Sequence, residues 1–224
     1  MRLSPSSLSV FRDCPRCFWW TQVKKIARPR GIFPSLPGGI DRAMKAYVEN
    51  SVINEDPYGL YHLEGVKGAM FYPDRENVRR WQNWRTGMSC NVGEVTVTGA
   101  IDDLIVWKDG RVSPYDYKTR GSAPKPGDSE KYYGAQLDIY HLLLEQHAGL
   151  KCTGKGYLRY GWPKQVVADR ITFEWETVAL DTDPARAITL VERSAEVLKM
   201  DEQPDYPMTC EYCVFIAGRI PQPA

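Results

Sequence analysis

The sequence lacks long hydrophobic runs: no stretch approaches the length of a membrane-spanning helix. Its first residues, Met1-Arg2-Leu3-Ser4-Pro5, lack the apolar core of a secretory signal. A cytoplasmic location without membrane association is therefore the expectation, with thiols mostly reduced. Excess charge of either sign is also missing. The chain has 29 lysines and arginines against 28 aspartates and glutamates, a formal net charge of +1. No global basic signature marks a nucleic-acid binder, so any such contact must use a local patch. No internal repeat or low-complexity tract is present. The segment from Gly149 to Lys155 mimics a phosphate-binding glycine loop. However, Gly156 stands where a serine or threonine is needed, and the segment follows a helical pattern rather than a strand.

What is present is a 224-residue chain, 43% hydrophobic and 25% charged, ordinary values for a soluble globular protein. Its length allows one large domain or two small ones. Ser4 and Pro5 open a helix, with Leu8 and Phe11 at helical spacing up to Pro15. Residues 28–39, rich in proline and glycine, read as a loop, and residues 40–49 as a helix. Residues 53–65 are irregular. Residues 66–72 read as an edge strand, and Asp74 caps a short helix reaching Trp84. A long helix runs from Asp128 to about Gln146, two strands cover 156–162 and 166–180, and Pro184 opens a last helix. Helices flanking a mixed sheet make the fold class α/β or α+β.

The most informative segment lies between these elements. Residues 95–107 run as β-branched and apolar side chains, Lys108-Asp109-Gly110 is a turn signal, and residues 111–117 return. This hairpin carries Asp102 and Asp103 on one strand and Asp116-Tyr117-Lys118 on the other. Alternation puts Asp116 and Lys118 on one face. A two-residue loop sets Asp116 opposite Asp103. A three-residue loop, with Gly110 in the left-handed conformation, sets it opposite Asp102. Opposed residues share a face, so one acid joins Asp116 and the other turns away. Two carboxylates beside an amine suit metal-assisted phosphodiester hydrolysis. The acids hold a hard divalent cation, and the lysine steadies charge near the attacking water or scissile phosphate. Glu94, upstream, is either an accessory acid or a surface glutamate.

Lys24, Lys25, Arg28 and Arg30 form one local basic cluster for nucleic acid, and Arg75, Arg79 and Arg80 a second. Trp19, Trp20, Trp81 and Trp84 read mostly as core, and an exposed one near a basic patch would stack on a base. Cys14-Pro15-Arg16-Cys17 and Cys210-Glu211-Tyr212-Cys213 are C-x-x-C pairs at opposite ends of the chain. Four thiolates complete a set for tetrahedral zinc or for a [4Fe–4S] cluster. A shared site would staple the termini together. Cys90 and Cys152 read as structural thiols.

Taken together, the chain resembles the PD-(D/E)XK nuclease superfamily, specifically RecB-type exonucleases and their CRISPR-associated iron–sulfur relatives. Residues 4–18, including Cys14 and Phe18, look like the family's N-terminal helix and first cluster cysteine. Gly99-Ala100-Ile101-Asp102 looks like its metal-binding aspartate motif, and Asp116-Tyr117-Lys118-Thr119 like its acid–x–lysine motif. Gln136 to Tyr140 looks like its glutamine–tyrosine helix motif, with both residues one turn apart and able to face the site. The resemblance implies a restriction-endonuclease-like mixed sheet flanked by helices, and one nuclease domain over 1–224. Within it, segments 1–30 and 202–224 form the cysteine subregion. It implies Mg²⁺- or Mn²⁺-dependent cleavage of DNA, from an end or in single strands, with a helicase, CRISPR or repair protein as partner. Catalysis falls to Asp102, Asp116, Lys118, Gln136 and Tyr140, and the metal to Asp102, Asp116 and the Tyr117 carbonyl. Where the family often has a histidine ligand, Asp41 stands here, either as a substitute ligand or as a helix cap. Iron–sulfur members usually carry one N-terminal cysteine and three C-terminal ones. In this chain Arg219 stands where a third C-terminal cysteine is expected and Cys17 is additional, so the cluster is [4Fe–4S] with Zn²⁺ as its rival. A non-catalytic nucleic-acid-binding or assembly module on the same fold is the alternative function.

Overall fold

The computed structural model describes residues 1–29, 31, 35–54, 63 and 65–219. Strand β1 (Arg2–Leu3) leads into α1 (Pro5–Asp13), where the Ser4 hydroxyl accepts the Ser7 N–H and Pro5 sits in the first turn. Cys14 ends α1 and caps α2 (Pro15–Gln22). Helix α3 (Ser35–Ile53) is longer at both ends than the 40–49 span read from the pattern. Pro37 falls in its first turn, where a missing N–H leaves no bond unmade. Strand β2 (Ala69–Phe71) and α4 (Arg75–Gln82) follow, with the Asp74 carboxylate accepting the Asn77 N–H at 3.1 Å.

The apolar run at 95–107 is not one strand. Hairpin β3 (Met88–Val92) and β4 (Val95–Gly99) belongs to one sheet, and hairpin β5 (Asp103–Trp107) and β6 (Val112–Thr119) to another. The chain leaves the first sheet at Gly99, beneath α5 (Asp128–Gln146). A Cβ there would come within 2.7 Å of Leu143 Cδ1, so glycine permits the close approach of that helix. The remainder is β7 (Lys155–Val167), β8 (Arg170–Asp181), α6 (Pro184–Leu198) and a short α7 (Glu211–Ala217) that the proline-rich tail did not announce.

The larger sheet runs β2-β5-β6-β7-β8 and the smaller one β1-β4-β3. Strands β6 and β7 are parallel, joined through α5, while the other neighbours in the larger sheet are antiparallel. Helix α5 buries Leu137, Ile139, Leu143 and Leu144 in a core shared with Leu104, Val112 and Leu158. The opposite face of the sheet carries a second core, in which Met44 and Val48 of α3 meet Ile105, Tyr115 and Tyr117. This is a mixed α/β fold, its sheets flanked by helices. Among the described residues no helix is long and apolar enough to cross a membrane.

The β5–β6 register follows the three-residue loop. Trp107 N–H donates to the Arg111 carbonyl at 3.0 Å, and Gly110 closes the turn at φ +80°. Leu104 pairs with Pro114 and Asp103 with Tyr115, so Asp102 falls opposite Asp116, just past the last paired residues. Asp103, fully buried, points to the other face. There Arg75 grips it with two nitrogens, at 2.8 and 3.2 Å, while Arg75 Nε reaches Glu49 of α3 at 2.8 Å. Burial drives the Asp103 carboxyl upward, and the Arg75 guanidinium opposes it. Removing one partner of such a pair leaves an unmatched buried charge, at a cost of about 3–5 kcal/mol. Arg75→Ala is therefore expected to lower unfolding free energy by about that amount, measured by urea denaturation, with Asp103→Asn,Arg75→Ala recovering part of the loss.

Candidate active site

Asp116 and Lys118 project from β6 toward α5, and Asp102 comes from the bend before β5. The Asp116 side chain is 1% exposed. Its Oδ1 accepts Gln136 Nε2 at 3.0 Å, and the Lys118 ammonium lies in contact with Oδ2. Gln136 Nε2 also reaches the Tyr140 hydroxyl at 2.8 Å, one helical turn along α5. Asp102 is fixed by its own backbone and its neighbours. Its carbonyl accepts Gln82 Nε2 at 2.6 Å, and its Oδ2 accepts the Tyr117 N–H at 3.1 Å. The Tyr117 ring is buried in the α3 core, so its backbone, not its ring, borders the site.

A residue not singled out in the sequence completes the arrangement. Lys45 of α3 places Nζ 2.6 Å from Asp102 Oδ1 and 3.0 Å from Asp41 Oδ2. Asp41 lies well inside α3, which starts at Ser35, so the helix-cap alternative falls away. The i, i+4 spacing of Asp41 and Lys45 was visible in the sequence as an ordinary helix pair. The link to Asp102 exists only in three dimensions.

The electrostatics follow from burial and crowding. Burial pushes the Asp116 carboxyl up to about 7; Lys118 opposes this and the Asp102 charge adds to it. Burial would lower Lys118, but Asp116 and Asp102 outweigh it and hold the ammonium charged. Lys45 is likewise raised by Asp102 and Asp41 against its own burial. Burial and the same two acids keep the Tyr140 phenol protonated. The donor set is hard oxygen, and two ammonium groups already stand against it, marking where positive charge is stabilised. Such a set suits Mg²⁺ or Mn²⁺.

Two clefts open on this centre. One, about 340 Å³, is bordered by Asp41, Asp102, Tyr117, Lys118 and Trp175. The other, about 560 Å³, exposes Gln136 and Tyr140 beside Arg12, Trp84, Tyr132 and Tyr133. Trp84 is 78% exposed with the Arg85 guanidinium 4.9 Å over its ring, and Tyr132 is 54% exposed with Lys131 at 5.2 Å. Trp19 and Trp81, by contrast, are buried.

The basic clusters sit elsewhere. Lys24, Lys25 and Arg28 border neither cleft, and Arg30 lies outside the described residues. Arg28 is engaged by Asp13 at 3.4 Å and by the Tyr212 ring at 5.0 Å, and donates toward Cys210 Sγ at 3.9 Å. Arg75 is buried against Asp103, Arg79 meets Glu49, and Arg80 meets Glu76 at 2.6 Å. In that second cluster Arg75 and Arg79 meet carboxylates distant in the linear sequence, and Arg80 meets one a helical turn away. Glu94 is a surface residue, paired with Lys199 at 2.8 Å.

The four cysteines do come together. Among the described residues two sets of potential ligands have their donor atoms within 4.8 Å of one another: Cys14, Cys17, Cys210 and Cys213, all buried, and His141, Glu145 and Cys152. In the second set His141 is already satisfied on both nitrogens, by Thr182 at 2.8 Å and Glu145 at 3.1 Å. Asp41, Asp102 and Asp116 do not form such a set; Lys45 stands between Asp41 and Asp102.

Asp102, Asp116 and Lys118 thus lie together at the β5–β6 pair, with Gln136 and Tyr140 of α5 beside them. The PD-(D/E)XK nuclease superfamily matches residues 40–217 of the chain, and the chain belongs to that superfamily. No curated protein matches it. The solved structure titled "Crystal structure of SSO0001" is 18% identical to it, covering 96% of this chain and 84% of that one at a TM-score of 0.40.

Because the metal-free Asp116 carboxyl titrates near 7, divalent-ion binding must displace its proton at lower pH. Calorimetry in buffers of differing ionisation enthalpy should show close to one proton released per Mn²⁺ at pH 6 and almost none at pH 8. Apparent affinity should rise with pH up to about 7 and then level. Equal proton release at both pH values would refute the assignment.

Proposed function

We propose that this chain is a divalent-metal-dependent deoxyribonuclease that degrades DNA from an end, with single strands as its substrate. The observation that carries the reading is the convergence of Asp102, Asp116 and Lys118, with Asp102 and Lys118 bordering the first cleft. Asp102 and Asp116, with Asp41 and the Tyr117 carbonyl, would hold a Mg²⁺ or Mn²⁺ ion. Such an ion, when bound, supplies Lewis-acid charge and acidifies a water.

The chain's own residues do the rest. Lys118 presents a fixed positive charge beside Asp116, available to the charge that builds on the scissile phosphate. Gln136 fixes the Asp116 carboxylate through its amide and leaves its carbonyl oxygen and Tyr140 at the edge of the second cleft. Lys45 neutralises Asp102 and Asp41 when no other cation is there, so two crowded acids coexist without unfolding the bend. The exposed rings of Trp84 and Tyr132 favour single-stranded substrate, because splayed bases stack on aromatic faces while a duplex hides them. Arg12, Arg85 and Lys131 beside them suit the phosphates.

The test is degradation of end-labelled single-stranded DNA with Mn²⁺, with and without chelator. Wild-type protein should shorten the label progressively. Lys118→Ala and Asp116→Ala should reduce the rate more than about a hundredfold while leaving the circular dichroism spectrum unchanged. Binding without degradation by wild type would favour a non-catalytic module on this fold, and full activity in Lys118→Ala would remove the mechanism.

Trp84→Ala separates substrate binding from chemistry. A stacked base contributes about 1–3 kcal/mol. The variant should raise KM for single-stranded DNA about tenfold with kcat little changed, measured by steady-state kinetics on a labelled oligonucleotide.

A further inference from the structure

The sulfur positions at the joined termini speak to which metal the four cysteines hold. Cys14 Sγ lies 3.7 Å from Cys213 Sγ, and Cys17 Sγ lies 3.6 Å from Cys210 Sγ and 3.5 Å from Cys213 Sγ. All four sulfurs are mutually within 4.8 Å. One zinc ion with bonds of about 2.3 Å places its four tetrahedral thiolates about 3.8 Å apart. The observed spacings match that edge to within a few tenths of an ångström. A [4Fe–4S] cluster assigns each thiolate its own iron at a separate corner, with the Fe–S bonds radiating outward. Sulfurs held that way are driven well beyond contact with one another, and four sulfurs already in contact leave no space for a cube of eight atoms. The iron–sulfur group implied by the resemblance therefore does not fit this site.

We propose that Cys14, Cys17, Cys210 and Cys213 bind a single tetrahedral zinc ion, with Arg28 as the charge partner of the tetrathiolate. Four thiolates on a divalent ion leave two net negative charges in a buried place. The Arg28 side chain, held by Asp13 at 3.4 Å and lying 5.0 Å from the Tyr212 ring, directs Nη2 toward Cys210 Sγ at 3.9 Å. The Cys17 N–H donates to Cys14 Sγ at 3.4 Å, a second compensating contact. Both C-x-x-C pairs are used in full, so the site is coordinatively closed and structural, with no open position for chemistry. It fastens α1 and α2 to the segment before and within α7. Hydrogen bonds from Trp19 Nε1 to the Met200 carbonyl at 3.0 Å and from Arg16 Nε to the Pro204 carbonyl at 2.7 Å reinforce that junction. The proposal is independent of the nuclease reading, since it concerns different residues and its readout is not activity.

The test is made on the full chain, purified without oxygen from cells supplied with both iron and zinc, then dialysed against EDTA to strip ions held by oxygen ligands. Elemental analysis should return one zinc per chain, with negligible iron and no visible absorbance. Exchange with Co²⁺ should give the intense visible bands of a tetrahedral cobalt tetrathiolate. Because Cys213→Ser risks failing to fold, Arg28→Ala is the informative variant: it should release zinc to a chromogenic chelator about tenfold faster. A brown protein with several irons per chain would overturn the zinc assignment, as would a folded chain with four free thiols and no metal. An unchanged release rate in Arg28→Ala would overturn the role of Arg28.

Discussion

The register of the β5–β6 hairpin is the constraint from which the rest of the centre follows. Side chains alternate with a period of two, so one residue of slip would exchange Asp102 and Asp103 between the faces of the sheet. In the observed register Asp102 meets Asp116 at the cleft, while Asp103 enters the opposite core and is held by Arg75. Gly110, at φ +80°, supplies the left-handed residue that the three-residue loop needs, and the buried Asp103–Arg75 pair makes the alternative register costly. Two aspartates adjacent in sequence thus point to opposite faces of the sheet.

The same face carries a concentration of like charge that would be unstable without compensation. Asp116 is almost fully enclosed, and its burial together with the nearby Asp102 charge raises its proton affinity. Lys118 and Lys45 enter from different elements, β6 and α3, and offset these charges. Gln136 and Tyr140 close the arrangement from α5, the helix whose close approach is allowed by Gly99. Strand β6, helix α5 and helix α3 thus each contribute side chains to one polar cluster.

Much of this was legible in the sequence. Helices α1 and α6 follow their capping residues and α5 its apolar face, and the acid–x–lysine alternation gave Asp116 and Lys118 a common face; the two strands expected at 156–162 and 166–180 are present, but β7 runs on to Val167 and the turn falls at 168–169. Elsewhere local rules misled. The apolar run at 95–107 concealed a passage between two sheets, since Ile101 is as buried there as a strand residue would be. Helix α3 began before Pro37 because a first-turn proline does not stop a helix. Arg75 and Arg79 read as part of a basic patch because their carboxylate partners, Asp103 and Glu49, lie on other elements. Lys45 was invisible as part of the centre for the same reason.

By itself the sequence determined the chemical inventory: which acids, amines and thiols are available, and which of them share a strand face or a helical turn, because those relations depend only on backbone periodicity. The tertiary structure alone decided which of two adjacent aspartates faces the cleft, which lysines neutralise it, which tryptophan is left in solvent, and how close four sulfurs from opposite ends of the chain approach. Each of these is a distance between elements, fixed by loop conformation and by packing across the sheet, and no local pattern encodes it.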